Sequence, residues 1–413
     1  MEFIGGIMSK IIINSQGPHS PAGNTINTGF AKVAYTVCNA LAPTNEVGHV
    51  CHEHEGLSFE FKNKLLNTQY WIHRGNKNFQ QSASELKLHV ELRKPDFVIG
   101  IGEAWGMYHY KDINFKDTQL LMHVPVDGEP FDSTLSTVAQ MADLMIPASH
   151  YGKKICDLNN LPTCDVIPHA FDPKTYMPFK QTQRDVARSK FGFTDDLFVV
   201  GFVGRQQERK NLMALIIAFE KFARDKNDVR LLLNITIDKY SDFNLVHMVK
   251  FMGLGDKVLI VNTNNSSERD MATMYNALDM YISTSCSEGF DIPVLEAQAC
   301  GVPCAVSDYS AHVELVKDHG KLIEIGDFRP MPNNIYWAYV NIDDTVASMQ
   351  YYYDSINARR KDGAAALEFV KKYYTTDVVN KLWNNLITNY DDIKESAESV
   401  LPVRRMDINV KDE

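Results

Sequence analysis

The sequence predicts an α/β protein of two domains, each with a mainly parallel sheet, facing a central cleft. Three observations predict it. Strand-like and helix-like segments alternate in two separate series. A Pro-, Lys- and Gln-rich stretch at residues 172–183 divides the series. The 413 residues suffice for two or more domains at about 150 residues each.

The first series opens on Lys10–Ser15, a β-branched run typical of a buried strand. A loop with Gly17, Pro18, Pro21, Gly23 and Gly29 leads into Phe30–Leu41, apolar at helical spacing. Strands are expected at 96–100, 119–123, 144–148 and 165–168, and helices at 133–142 and 151–158. The second series starts at Leu197–Val203, the clearest buried-strand signal in the chain. Helices follow at 211–224, 246–252, 267–278 and 293–300, and strands at 229–235, 258–261, 280–284 and 304–307. Ser267 followed by Glu268 reads as a helix cap. Residues 378–390 read as a late amphipathic helix and 395–413 as a weakly ordered tail. The expected units are 8–180, 195–375, a helix at 376–395 packing toward the first unit, and a tail at 396–413.

Composition excludes whole classes. Hydrophobic residues at 45% and charged residues at 23% rule out a disordered or collagenous chain. A net charge of −10 disfavours a general nucleic-acid binder, which needs clustered Lys and Arg. The seven cysteines are odd in number and irregular in spacing, as expected of reduced thiols and a cytoplasmic protein. No apolar run approaches the roughly 20 residues of a membrane span, so no transmembrane segment is expected, and peripheral membrane contact stays open. No signal peptide is expected, and either Met1 or Met8 could serve as the start.

In an open parallel sheet, ligands bind beyond the carboxyl ends of the strands. Gly204 and Arg205 end a strand, and Lys210-Asn211 open the next helix. Two cations at a helix start make a candidate diphosphate clamp; otherwise they are surface charges beside a turn. The stretch Glu288-Gly289-Phe290-Asp291-Ile292-Pro293 follows another strand and enters a helix at Pro293, a favoured first helical position. Gly289 permits close backbone approach, and the amides of 289–292 could face oxyanions. Glu296, in the first helical turn, could accept hydrogen bonds from vicinal hydroxyls or could simply oppose the helix dipole.

Two glutamates in the frame EGFDIPVLEAQACGVP resemble the retaining glycosyltransferases of family 4, which have the GT-B fold of two Rossmann-like domains. The segments 201–211, 275–290, 142–155 and 166–176 resemble the family in the right order. The likeness is strongest over 201–307 and weakest over 47–92. It implies transfer of a sugar from a nucleotide-diphosphate donor to the hydroxyl of a carbohydrate-type acceptor. Arg205 and Lys210 would hold the diphosphate, Glu296 the ribose and Glu288 the transferred sugar, with Gly204, Asn211, Gly289, Phe290, Asp291 and Ile292 around the donor. No cofactor and no metal are then expected. His123 and Asp127 would reach the sugar from the first domain, and Gly29 would approach the diphosphate. Where the family often has paired glycines, this chain has Thr28-Gly29, and Asn234–Lys239 lacks the usual glycine-rich loop.

Three rival readings accompany this one: a catalytically silent nucleotide-sugar binder, a nucleotide-sugar epimerase, and a transferase acting on an unusual acceptor such as modified nucleic acid. Intact Arg205, Lys210, Glu288 and Glu296 disfavour the silent binder. Gly100–Gly106 has the wrong glycine spacing for a dinucleotide loop, and Gly102 and Glu103 would instead line the acceptor side. His49, Cys51, His52 and His54 lack a second ligand pair at zinc spacing and read as a surface loop.

Overall fold

The structure is a computed structural model; it describes residues 8–17, 28–64, 66–236, 244–262 and 266–399. The start at Met1, most of the loop Gly17–Gly29 and residues 237–239 lie outside the described residues.

The first sheet has seven strands: β1 (Lys10–Ser15), β2 (Glu46–Cys51), β3 (Phe59–Asn63), β4 (Thr68–Arg74), β5 (Phe97–Ile101), β6 (Gln119–His123) and β7 (Leu144–Met145). Their order is β3-β4-β2-β1-β5-β6-β7, and only β3 runs antiparallel to its neighbour. The second sheet is β8 (Phe198–Arg205), β9 (Val229–Thr236), β10 (Val258–Val261), β11 (Met280–Ser283), β12 (Cys304–Ser307) and β13 (Lys321–Ile323). Its order is β10-β9-β8-β11-β12-β13, parallel throughout. A hairpin, β14 (Ile325–Pro330) and β15 (Tyr336–Val340), follows.

Central strands are buried on both faces, so they read as continuous apolar runs: in β8, Phe198, Val199, Val200 and Phe202 are all buried. The strand order reverses beside β1 and beside β8, so the loops leaving those strands open at switch points.

Several elements differ from the sequence reading. Only Leu144–Met145 pairs at 144–148, because Pro147 has no N–H to give a ladder. Residues 165–168 form no strand; Ile167 N–H donates to Pro147 O at 3.0 Å, and Pro168 again breaks the ladder. The dividing stretch is partly helical, since Gln181–Ser189 is a helix. Its buried Arg188 donates to Asp279 Oδ2 (3.1 Å) and to Leu197 O (2.7 Å), tying this helix to the second sheet. The residues read as a surface loop are not one: His49 and Cys51 lie buried in β2, and His54 is buried just after it. Residues 395–399 continue a helix, Tyr390–Ser399; the tail beyond lies outside the described residues.

After the second sheet the chain returns to the first. The helix Thr376–Thr388 places Val379 and Trp383 in one core with Ile13, Val37 and Leu41. Asn384 Nδ2 donates to Ala40 O at 2.9 Å. Among the described residues, no helix is long and apolar enough to cross a membrane.

Candidate active site

A cleft of about 450 Å³ opens between the carboxyl ends of the two sheets, lined by residues of both. A second cavity of equal volume lies against Leu382, Leu386 and Ile393, on the C-terminal helices, away from this cluster.

On the second-sheet side, β8 ends in Gly204-Arg205, and both residues line the cleft. The chain then turns through Glu208–Lys210, and Asn211 closes the turn at φ 49°. A helix follows at Leu212–Ala223, so Lys210 sits before it rather than in it. Two bonds fix this turn beside the loop after β11: Cys286 N–H to Arg209 O (2.7 Å) and Thr284 Oγ1 to Asn211 O (3.1 Å).

That loop carries Glu288, which is buried. Lys210 Nζ lies 2.5 Å from Glu288 Oε1, and Arg209 Nη1 lies 2.7 Å from Oε2. Burial alone would raise this carboxyl, but Arg209 and Lys210 outweigh it and hold Glu288 well below the usual carboxylate range. Arg209 also faces Asp127 across the cleft, at 3.7 Å. The Glu288 N–H is already taken by Ser310 Oγ at 2.8 Å. Gly289 is required where it stands: a Cβ there would lie 2.7 Å from Pro125 Cβ, inside contact distance of the opposite wall. Phe290 is buried against His169, ring centroids 4.8 Å apart. Asp291 enters the helix Ile292–Ala299 at φ 84°. Its Oδ2 accepts from Ser283 Oγ (2.9 Å) and faces His312 Nδ1 (3.4 Å), which orders the helix start.

Glu296 does not line the cleft; it is 3% exposed. Its carboxylate accepts from Lys32 Nζ (2.5 Å) and from Tyr275 OH (2.9 Å). Lys32 belongs to the helix Gly29–Leu41 of the first unit, so this is a bridge between units. Lys32 also pairs with Glu268 at 3.0 Å, and Tyr176 OH donates to Glu268 at 2.6 Å. Burial raises the Glu296 carboxyl and Lys32 opposes that rise.

On the first-sheet side, Gly29 comes near Ile292: a Cβ on it would sit 3.5 Å from Ile292 Cδ1, an ordinary contact. Asp127 lines the cleft, its carboxyl pushed up by burial although Arg209 pulls the other way. His123 is placed differently from the expectation that it faces the cleft. It is 3% exposed, with its Nδ1 bonded to Ile146 O at 2.8 Å and Nε2 3.4 Å from His169 Nδ1. His169, not His123, lines the cleft at this point. Strand β6 ends at His123, but the following Val124-Pro125 carries the cleft wall onward to Asp127.

Sequence reasoning named Lys210 and passed over its neighbour Arg209, and it missed Lys32, Tyr275 and His169. Arg209 carried a signal, a second cation within the same turn. Lys32 carried none, because a lysine within an amphipathic helix reads as solvated. Glu103 was assigned to the acceptor side and does line the cleft, its carboxyl pushed up to about 7 by burial and by Asp127. Among the described residues, no group of three or more His, Cys, Asp or Glu could hold a metal ion.

Residues 183–327 match the family model described as glycosyl transferases group 1. A D-inositol 3-phosphate glycosyltransferase of Paenarthrobacter aurescens is 26% identical over 227 residues, 54% of this chain and 50% of that protein. A mannosylfructose-phosphate synthase of Agrobacterium fabrum is 27% identical over 202 residues, 48% of this chain and 41% of that protein. The match thus spans about half the length of these curated relatives, or less. Sucrose-phosphate synthase from Thermosynechococcus elongatus superposes with a TM-score of 0.74 at 16% identity, over 93% of this chain and 99% of that one. Anabaena HepE, solved with UDP and glucose, superposes at 0.71 and 15% identity, over 92% and 100%. The fold is GT-B, and residues 183–327, about a third of the chain, are similar to the glycosyl transferases of group 1.

Proposed function

We propose that this chain is a retaining, metal-independent glycosyltransferase of family 4 that moves a sugar from a nucleotide-diphosphate donor to an acceptor hydroxyl. The observation that carries it is Glu288, buried and ionised between Lys210 and Arg209, with Asp127 facing them from the other unit.

In this reading Arg205 and Lys210 hold the donor diphosphate at the end of β8, and the amides entering the helix Ile292–Ala299 add to them. Preorganised cations and dipoles that oppose developing charge are the largest single source of rate in such sites. They supply here what a divalent ion would supply to the leaving diphosphate. The bond from the anomeric carbon to the diphosphate oxygen breaks, and a bond to the acceptor oxygen forms. The acceptor proton passes to the departing phosphate oxygen, on the same face of the sugar. Glu288 lies beside the transferred sugar. Glu296 takes the nucleotide ribose once Lys32 gives way, since its carboxylate is covered by that lysine.

Relatives named for inositol phosphate and for mannosylfructose phosphate support a saccharide or polyol acceptor. Calorimetric titration with UDP, GDP and ADP, followed by hydrolysis of the matching nucleotide sugars, tests the reading. Tight binding with slow donor hydrolysis is the expected result. Binding without any hydrolysis or transfer favours a silent binder, and no binding at all overturns the reading.

A further inference from the structure

The acceptor side of the cleft has a chemistry of its own. Trp105 is 57% exposed, on a short 3-10 helix, Ala104–Asp112, that follows β5. Phe79 stands against it edge-on, ring centroids 4.6 Å apart. His52 stands against Phe79 in turn, at 5.5 Å. All three line the cleft. The His52 side chain has both ring nitrogens without a hydrogen-bond partner and shielded from solvent. Burial lowers its pKa to about 4, so it is a neutral ring with one donor and one acceptor. Glu103 and Asp127 complete the wall.

Charge divides the cleft. Its cations, Arg205, Arg209 and Lys210, all lie at or just beyond the end of β8, on the second-sheet side. Among the described residues, the first-sheet wall offers two carboxyls and no Lys or Arg to the cleft. An exposed indole with a second aromatic beside it suits the apolar face of a sugar ring. Unpartnered donor and acceptor atoms suit hydroxyls, which both give and accept; a phosphate dianion only accepts, so it offers no donor to the acceptor nitrogen of His52 or to the carboxyl oxygens of Glu103 and Asp127.

We propose that Trp105, Phe79 and His52, with Glu103 and Asp127, form an acceptor subsite that receives an uncharged saccharide and rejects a phosphorylated one. This rests on the glycosyltransferase reading above, which the nucleotide titration tests separately. Trp105 and His52 are then specificity-determining residues, and the acceptor differs in charge from the phosphosugars for which several relatives are named.

The test uses the full chain with the nucleotide sugar that it hydrolyses. Methyl glucoside, methyl mannoside, methyl galactoside, sucrose and myo-inositol are compared with fructose 6-phosphate, glucose 6-phosphate and inositol 3-phosphate. Transfer and calorimetric binding are read for each. The expected result is transfer to, or binding of, a neutral member, with the phosphorylated ones weaker by at least about tenfold. In Trp105→Ala the neutral-acceptor KM rises by about tenfold or more, nucleoside diphosphate still binds, and Trp105→Phe recovers most of the loss. A phosphorylated acceptor used in preference to the neutral ones overturns the subsite. So does donor hydrolysis with no neutral saccharide bound or used, or an unchanged KM in Trp105→Ala. A chain that binds no nucleoside diphosphate overturns the glycosyltransferase reading itself, and that outcome is visible before any acceptor is added.

Discussion

Lys32 Nζ and Glu296 Oε1 stand 2.5 Å apart, although one belongs to the helix after β1 and the other to the helix after β11. The two units are therefore joined by an ion pair at the carboxylate that is assigned to the donor ribose. Tyr275, Tyr176 and Glu268 complete the network. In the proposed reading, donor binding and contact between the units compete for the same oxygen atoms.

The first prediction follows from that pair. Members of one network couple by about 0.5–3 kcal/mol. Lys32→Met and Glu296→Gln should each destabilise the chain, and the double variant should cost less than their sum. Urea unfolding of the four proteins measures this. Strict additivity would show that the pair contributes no coupling.

The second concerns the clamp. A charge-assisted hydrogen bond contributes about 1.5–3 kcal/mol. Arg205→Ala and Lys210→Ala should each weaken nucleoside diphosphate binding by roughly ten- to a hundredfold. Calorimetry reads it; wild-type affinity in both variants would remove the clamp from the account.

Much of the fold was legible because buried parallel strands announce themselves. Lys10–Ser15 and Phe198–Arg205 are apolar runs with glycine or polar loops beyond them. The edge strand β3 was not legible: its residues alternate between partly buried and exposed, so FEFKN has too little apolar content to declare a strand. At the site, the Glu288 frame was legible from residue type and spacing. What surrounds Glu296 was not, because Lys32 lies far in sequence from Glu268, Tyr275 and Glu296 and meets them only when the two units pack. His123 misled for a related reason. A residue that ends a strand usually reaches the cleft, but its ring is bonded back to Ile146 O, and His169 takes the place on the cleft wall.

A third prediction concerns pH. Glu103 has a folded pKa of about 7, raised by burial first and by Asp127 second, against about 4.3 when unfolded. Between those values the folded state keeps a proton that the unfolded state has lost. Stability therefore falls as pH rises through that window. Glu103→Gln removes this dependence, so its stability relative to wild type should climb from pH 4.5 to pH 7.5, by about 3 kcal/mol. Thermal unfolding across the range tests it; a constant difference would contradict the raised pKa.

A fourth concerns metal. Arg205, Lys210 and the helix start oppose the diphosphate charge in this account, so transfer should survive excess EDTA. Loss of activity restored by Mg²⁺ or Mn²⁺ would assign leaving-group stabilisation to an ion instead.

In the proposed reading Glu288 acts where charge develops, while Glu296 acts in donor binding. A contact made equally in ground and transition states changes KM, and one made only in the transition state changes kcat. The most direct measurement is donor-saturation kinetics on Glu288→Gln and Glu296→Gln, with nucleotide affinity measured alongside. Glu288→Gln should keep nucleotide binding and lose kcat by about a hundredfold or more, while Glu296→Gln should raise the donor KM and retain most of kcat. A Glu288→Gln protein that turns over normally at saturation but no longer binds nucleotide would contradict the account.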